Sequence, residues 1–168
     1  VISVALSLVN EEKTVAKHGA FRIHALAGKQ EQSINQLQEL LEQNPRPEYL
    51  IWLTYLLQER GAESMVEQLL PKLEQLKQTA ATGKIEGYGE GAILYGLAMM
   101  EVINGDHEKA IDYLRKSYSA GNKEYYWWKN FNPMFHELEE YTEYQDLMKR
   151  MKSDIDQMRE SYLESKAS

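Results

Sequence analysis

Apolar residues recur every three or four positions along most of this chain, the spacing that lines one face of an α-helix. Ile34, Leu37, Leu40 and Leu41 form one such stripe, Ala110, Leu114 and Ser117 a second, and Leu147, Met151, Ile155, Met158 and Tyr162 a third. Strict alternation of apolar and polar residues, which marks a half-buried strand, is nearly missing. Only residues 1–9 (VISVALSLV) have strand character, and they equally suit the stub of a preceding helix. Gln, Glu, Leu, Lys and Ala dominate the rest, and these are good helix formers.

Glycine and proline punctuate the pattern. A helix is predicted over 11–27, with Asn10 as its N-cap and Gly28 as its stop. The next runs over 31–43 and ends at Asn44-Pro45-Arg46-Pro47, because proline disfavours helical backbone in the residue before it. A second pair spans 48–59 and 62–79 and turns at Gly61. Pro71 falls inside its second helix and is expected to kink or divide it. Residues 79–90 (TAATGKIEGYGE) read as the one flexible connection. A third pair lies between 92 and 122, where Leu94, Leu97 and Ala98 precede the break Asn104-Gly105-Asp106. Asp106 is placed to accept a backbone N–H of the following helix, and Glu108 favours the same helix end through the dipole. Ala110 is small enough to let two helix backbones approach closely. A last long helix is predicted over 143–165.

Leu94, Leu97, Ala98, Gly105, Ala110, Leu114 and the stop near Asn122 together resemble the tetratricopeptide repeat, a helix–turn–helix unit of about 34 residues. Glu101 stands where that family usually has an aromatic residue, and Asn122 where it usually has proline. The pair around Gly28 is similar, with Ser33 as the small packing residue and Pro45 as the terminal proline. Gly61 follows Gly28 by 33 residues, close to the repeat period, but Val66 replaces the small residue, which implies looser packing. The resemblance implies an all-α chain, 1–168 as one domain, with repeat-like units at about 11–45, 48–79 and 91–122. A right-handed superhelical stack of about three pairs follows, completed by an aromatic segment and long helix over 123–165. The order of the last part is a helix pair, then Tyr125-Tyr126-Trp127-Trp128, then Asn132-Pro133-Met134-Phe135, then a long helix. It resembles the C-terminal repeat region of bacterial membrane-anchored winged-helix regulators and related signalling proteins. That likeness covers about 92–163 and implies that an output domain lies elsewhere in the full protein.

Charge and composition narrow the function classes. The formal net charge is −7, whereas a duplex-binding domain needs a basic surface to neutralise phosphates, so no direct nucleic-acid contact is expected. Cysteine is absent, which removes disulfides, thiol catalysis and thiolate metal sites. Residues 1–9 are about half the length that a bilayer span requires, so no membrane insertion by this segment is expected. No signal or transit peptide is visible, and an opening Val1 points to a fragment or processed product. The compartment, periplasm or cytoplasm of a bacterium, stays open.

Candidate chemistry is sparse. Gly87-Tyr88-Gly89-Glu90-Gly91-Ala92 fits the glycine spacing of a dinucleotide-binding turn, but that turn works only between a buried strand and a helix. Residues 82–86 are no such strand, so a linker is expected. His136 with Glu139 and Glu140 offers at most part of a zinc set, and a solvated acidic face explains it better. His18 and His24, six apart, point to different sides of a helix. The aromatic cluster from Tyr125 to Phe135 reads as core before ligand contact. No catalytic constellation, cofactor or metal is expected.

The resemblance also places a partner-binding stripe on the inner face of each unit's first helix: His18, Arg22, Ile51, Tyr55, Tyr95 and Met99. The Lys/Asn carboxylate clamp of chaperone-binding members is missing there, which leaves apolar and aromatic contacts. The expected function is a non-catalytic protein-interaction or sensor module of a bacterial regulatory protein. It would bind a protein, a peptide or a neighbouring domain on a concave surface. An accessory helical domain of an enzyme whose catalytic part lies outside this chain is the alternative.

Overall fold

A computed structural model describes residues 14–83 and 85–167, so the expected cap at Asn10 and the character of 1–9 lie outside the described residues. Every regular element among the described residues is helical. The chain divides into two compact units on either side of the 84/85 junction.

The first unit holds α1 (Thr14–Leu26), α2 (Gln30–Gln43), α3 (Pro47–Glu59) and α4 (Glu63–Ala81), each packed on the next. Its core is α3, buried without a break from Ile51 to Leu57. A helix that is apolar on all sides has to be enclosed, and the sequence PEYLIWLTYLL leaves α3 no polar face. Thr54 fits this setting because its hydroxyl donates to the Leu50 carbonyl at 2.8 Å. Pro71 neither ends nor divides α4, which runs as one helix to Ala81. Pro71 itself lies exposed.

The second unit holds α5 (Glu90–Ile103), α6 (His107–Ser119), the short α7 (Tyr125–Asn130), a 3-10 helix (Pro133–Leu138) and the long α8 (Thr142–Ala167). α5 and α6 form a tight hairpin, the 3-10 helix packs on both, and α8 packs on α6 and α7. Ala110 has no accessible surface, as a close approach between two helices requires. Leu114, Trp128, Met134, Phe135, Leu138 and Met151 surround the same centre, each fully buried.

One turn recurs within each of the three helix pairs, and the same stop ends α6 at Gly121, whose N–H donates to Tyr118 at 3.0 Å while that of Asn122 donates to Ser117 at 3.1 Å. Gly28, Gly61 and Gly105 have φ of 73°, 70° and 75°, a left-handed conformation that a side chain penalises. In each case the glycine N–H donates three residues back: to Ala25 at 3.1 Å, Gln58 at 2.9 Å and Val102 at 2.9 Å. The next N–H donates five residues back: Lys29 to His24 at 2.8 Å, Ala62 to Leu57 at 2.9 Å and Asp106 to Glu101 at 2.9 Å. This is the Schellman stop, which satisfies two carbonyls at the helix end. The following helix then begins in the same register each time, with Ser33, Val66 and Ala110 donating to Lys29, Ala62 and Asp106. Asp106 alone of these three adds a side-chain cap, accepting from the Lys109 N–H at 3.2 Å. Ser33 and Ala110 are fully buried while Val66 is half-buried, in line with the bulkier residue at that position.

Candidate functional site

Arg22, Ile51 and Tyr55 lie in the first unit, and there the expected open stripe is largely closed. Ile51 is 1% exposed and Tyr55 8%. Phe21 meets Tyr49 edge-on at 5.8 Å and Trp52 at 5.5 Å, and Trp52 meets Tyr55 at 6.4 Å. These rings form one aromatic core between α1 and α3, so Ile51 and Tyr55 support the unit and offer no free contact face. The physical reason is the apolar continuity of α3, which turns both faces of the helix inward. Arg22 stays half-buried at the edge, its guanidinium 5.2 Å from the Phe21 ring centroid. His18 lies in α1, and its side chain is outside the described residues. His24 sits half-buried on the same helix, where burial and then the Lys29 charge hold its imidazole below the usual range.

Tyr95 and Met99 lie in the second unit, on the face of α5 that the 3-10 helix covers. The Tyr95 ring lies 5.4 Å from Trp128 and 5.5 Å from Phe135. Asn132, fully buried, donates its amide to the Tyr95 hydroxyl at 2.7 Å and to the Met99 sulfur at 3.4 Å. Its carbonyl oxygen accepts from the Met134 N–H at 3.2 Å, capping the 3-10 helix whose first residue is Pro133. Met99 is 4% exposed beneath this segment. The chain covers its own inner surface here: the Asn-Pro segment folds back and fills the face of α5. Asn132 is the key residue here, and the sequence pattern marks its Asn-Pro segment without assigning it this task. Its signal was the Asn-Pro pair followed by two large apolar residues.

Gly91 is another residue with an unforeseen task. The Ser117 hydroxyl donates to its carbonyl at 2.7 Å, and a Cβ built on it would stand 3.0 Å from the Asn122 Cβ. The glycine-rich segment therefore ends inside α5 as a packing point against the end of α6. No strand precedes it among the described residues.

The titratable clusters outside these cores are pairs and short chains. Glu101, 1% exposed, meets the Lys109 ammonium at 2.8 Å, which raises the Lys109 pKa through hydrogen bonding and charge. His107 spans Tyr141 at 3.0 Å and Glu137 at 3.1 Å, tying the start of α6 to the approach to α8. Tyr118 hydrogen-bonds to Asp154 of α8, and burial first and this bond second push its phenol up to about 12. His136 is exposed, and Glu139 pairs with Lys129 at 2.7 Å. Among the described residues no three His, Asp or Glu side chains converge as a metal site, and no helix is long and apolar enough to cross a membrane.

The structure thus divides the six stripe residues between two units and buries three of them. Arg22 and Tyr95 keep partial access. No known protein family, curated protein or solved structure matches the chain.

Proposed function

We propose that this chain is a non-catalytic protein-interaction module, built of tetratricopeptide-like helix pairs, within a bacterial regulatory protein. The observation that carries the reading is the repeated turn: three glycines, one hydrogen-bond scheme, and a helix start in identical register after each. Repetition of one helix–turn–helix unit favours a scaffold, because such units derive function from the surface they array. Chemistry, by contrast, concentrates titratable groups in a cleft. Several of the described ionisable side chains lie in exposed pairs such as Lys116–Asp112 at 2.6 Å and Lys129–Glu139, and the buried Glu101 is matched by Lys109.

The partner face of the first unit is put at the half-buried rim around Arg22. A partner would meet a cation stacked on an aromatic core, a combination enriched at interface hot spots. Photo-crosslinking from position 22 of the full-length protein in its own cells tests this, with position 74 on exposed α4 as control. One adduct of defined mass from position 22, absent from position 74, is the expected result. No adduct at 22, or equal adducts at both positions, would remove the reading.

A further inference from the structure

The apolar stripe of α8 outlasts the core that it packs against. Leu147 and Met151 are buried and Ile155 is half-buried, while Met158, Tyr162 and Leu163 stand 57%, 58% and 56% exposed. From Gln157 to Lys166 every residue is exposed, so the last ten or so residues of α8 run on as a helix of about 15 Å with one face uncovered. Met151, Ile155, Met158 and Tyr162 form a seam at alternating four- and three-residue steps, the spacing of a two-helix interface. Lys152, Arg159 and Lys166 recur every seven residues along one flank of that seam. The other flank carries Lys123, from the loop after α6, across an open groove floored by Met158 and Tyr162. Asp154 on that flank is engaged by the Tyr118 hydroxyl, and Asp156 pairs with Lys152 at 2.5 Å. Glu160 and Glu164 fall on the opposite side of the helix by its 100° step.

We infer that the exposed end of α8 docks an acidic amphipathic helix of a partner protein, apolar residues on the seam and carboxylates toward Lys123, Arg159 and Lys166. Charge selects this occupant over a second copy. An antiparallel copy would set the Lys152–Arg159–Lys166 row against itself, and like charges facing across a helix pair oppose association. A parallel copy would set that row against the flank that carries Lys123, again like charge against like charge. The surface shares no residue with the stripe around Arg22, so each stands or falls alone.

The probe is a synthetic 21-residue helical peptide with leucine on its seam and glutamate on both flanks. Its twin carries lysine in place of glutamate. Fluorescence anisotropy with the full chain is expected to show the glutamate peptide binding at least tenfold more tightly than the twin, and weakening as salt rises. Met158→Asp should abolish binding, while circular dichroism shows the melting point retained because the side chain is exposed. Arg159→Glu with Lys166→Glu should reverse the preference toward the lysine peptide. Equal affinity for the two peptides, no binding of either, or an unreversed preference in the charge-swapped variant would overturn the proposal. So would a dimer in sedimentation that Met158→Asp converts to monomer, since a second copy would then hold the seam.

Discussion

Burial and the Asp154 carboxylate keep the Tyr118 phenol protonated well beyond its ordinary range, to about 12. The unfolded chain releases this proton near pH 10, so between those values the folded state holds a proton that the unfolded state has lost. The sign follows from linkage: the group's contribution is complete below about pH 10 and disappears as pH rises through about 12. The urea midpoint of the wild type is therefore expected to fall more steeply than that of Tyr118→Phe across pH 10 to 12. Parallel slopes for the two proteins would contradict the assignment. Glu101 shows the same scale of argument in a position where the resembled repeat has an aromatic ring. Its carboxylate is buried in α5 and survives there because Lys109 reaches it from α6. Composition announces neither pairing, since Tyr118–Asp154 and Glu101–Lys109 form only when helices that are separate in sequence come together.

Helices were legible because their signals are local. The Gly28, Gly61 and Gly105 stops, the Asp106 cap and the Ala110 contact each depend on a few neighbouring residues, and each stands where the pattern put it. Ala110→Arg is expected to destabilise the chain severely, because overpacking alone costs roughly 1–3 kcal/mol and a charge buried without a partner adds to it. Ala110→Gly should lose only about 1 kcal/mol of helix propensity. An unchanged urea midpoint for the arginine variant would place this residue outside the α5–α6 contact. Coverage of a helix face is a different matter, since it depends on what returns to it from far along the chain. The stripe of Tyr95 and Met99 looked open because nothing near it in sequence closes it; Asn132 and Phe135 close it from more than thirty positions away. Gly91 misled for the same reason, as its crowding comes from Ser117 and Asn122. Gly91→Ala is expected to cost roughly 1–3 kcal/mol, well beyond the gain in helix propensity, because its new methyl would meet backbone as well as a side chain. A rise in melting temperature for this variant would show that Asn122 yields freely.

At the scale of the whole molecule, the all-α class was legible and the division into two units was not. Helical periodicity continues on both sides of residue 84, and a step of 44 residues between Gly61 and Gly105 reads as an insertion within one stack. What separates the units is the distribution of cores. Phe21, Leu37, Tyr49 and Trp52 concentrate in the first, and Leu114, Trp128, Phe135 and Met151 in the second. Each half has about the size at which a single core becomes sufficient without disulfides, and the chain has no cysteine to supply them. Residues 1–84 and 85–168, expressed as separate fragments, are therefore expected to give helical circular dichroism spectra and cooperative melts of their own. In the second fragment Leu114→Ala should lower stability by about 2–5 kcal/mol, because a fully buried leucine leaves a cavity. Trp52 is nearly inaccessible and lies within the first fragment, so its fluorescence should be blue-shifted there as in the intact chain. A first fragment that is unfolded, or folded with Trp52 emission like that of a free indole in water, would mean that its core is completed by the other half. The two units would then be one cooperative domain.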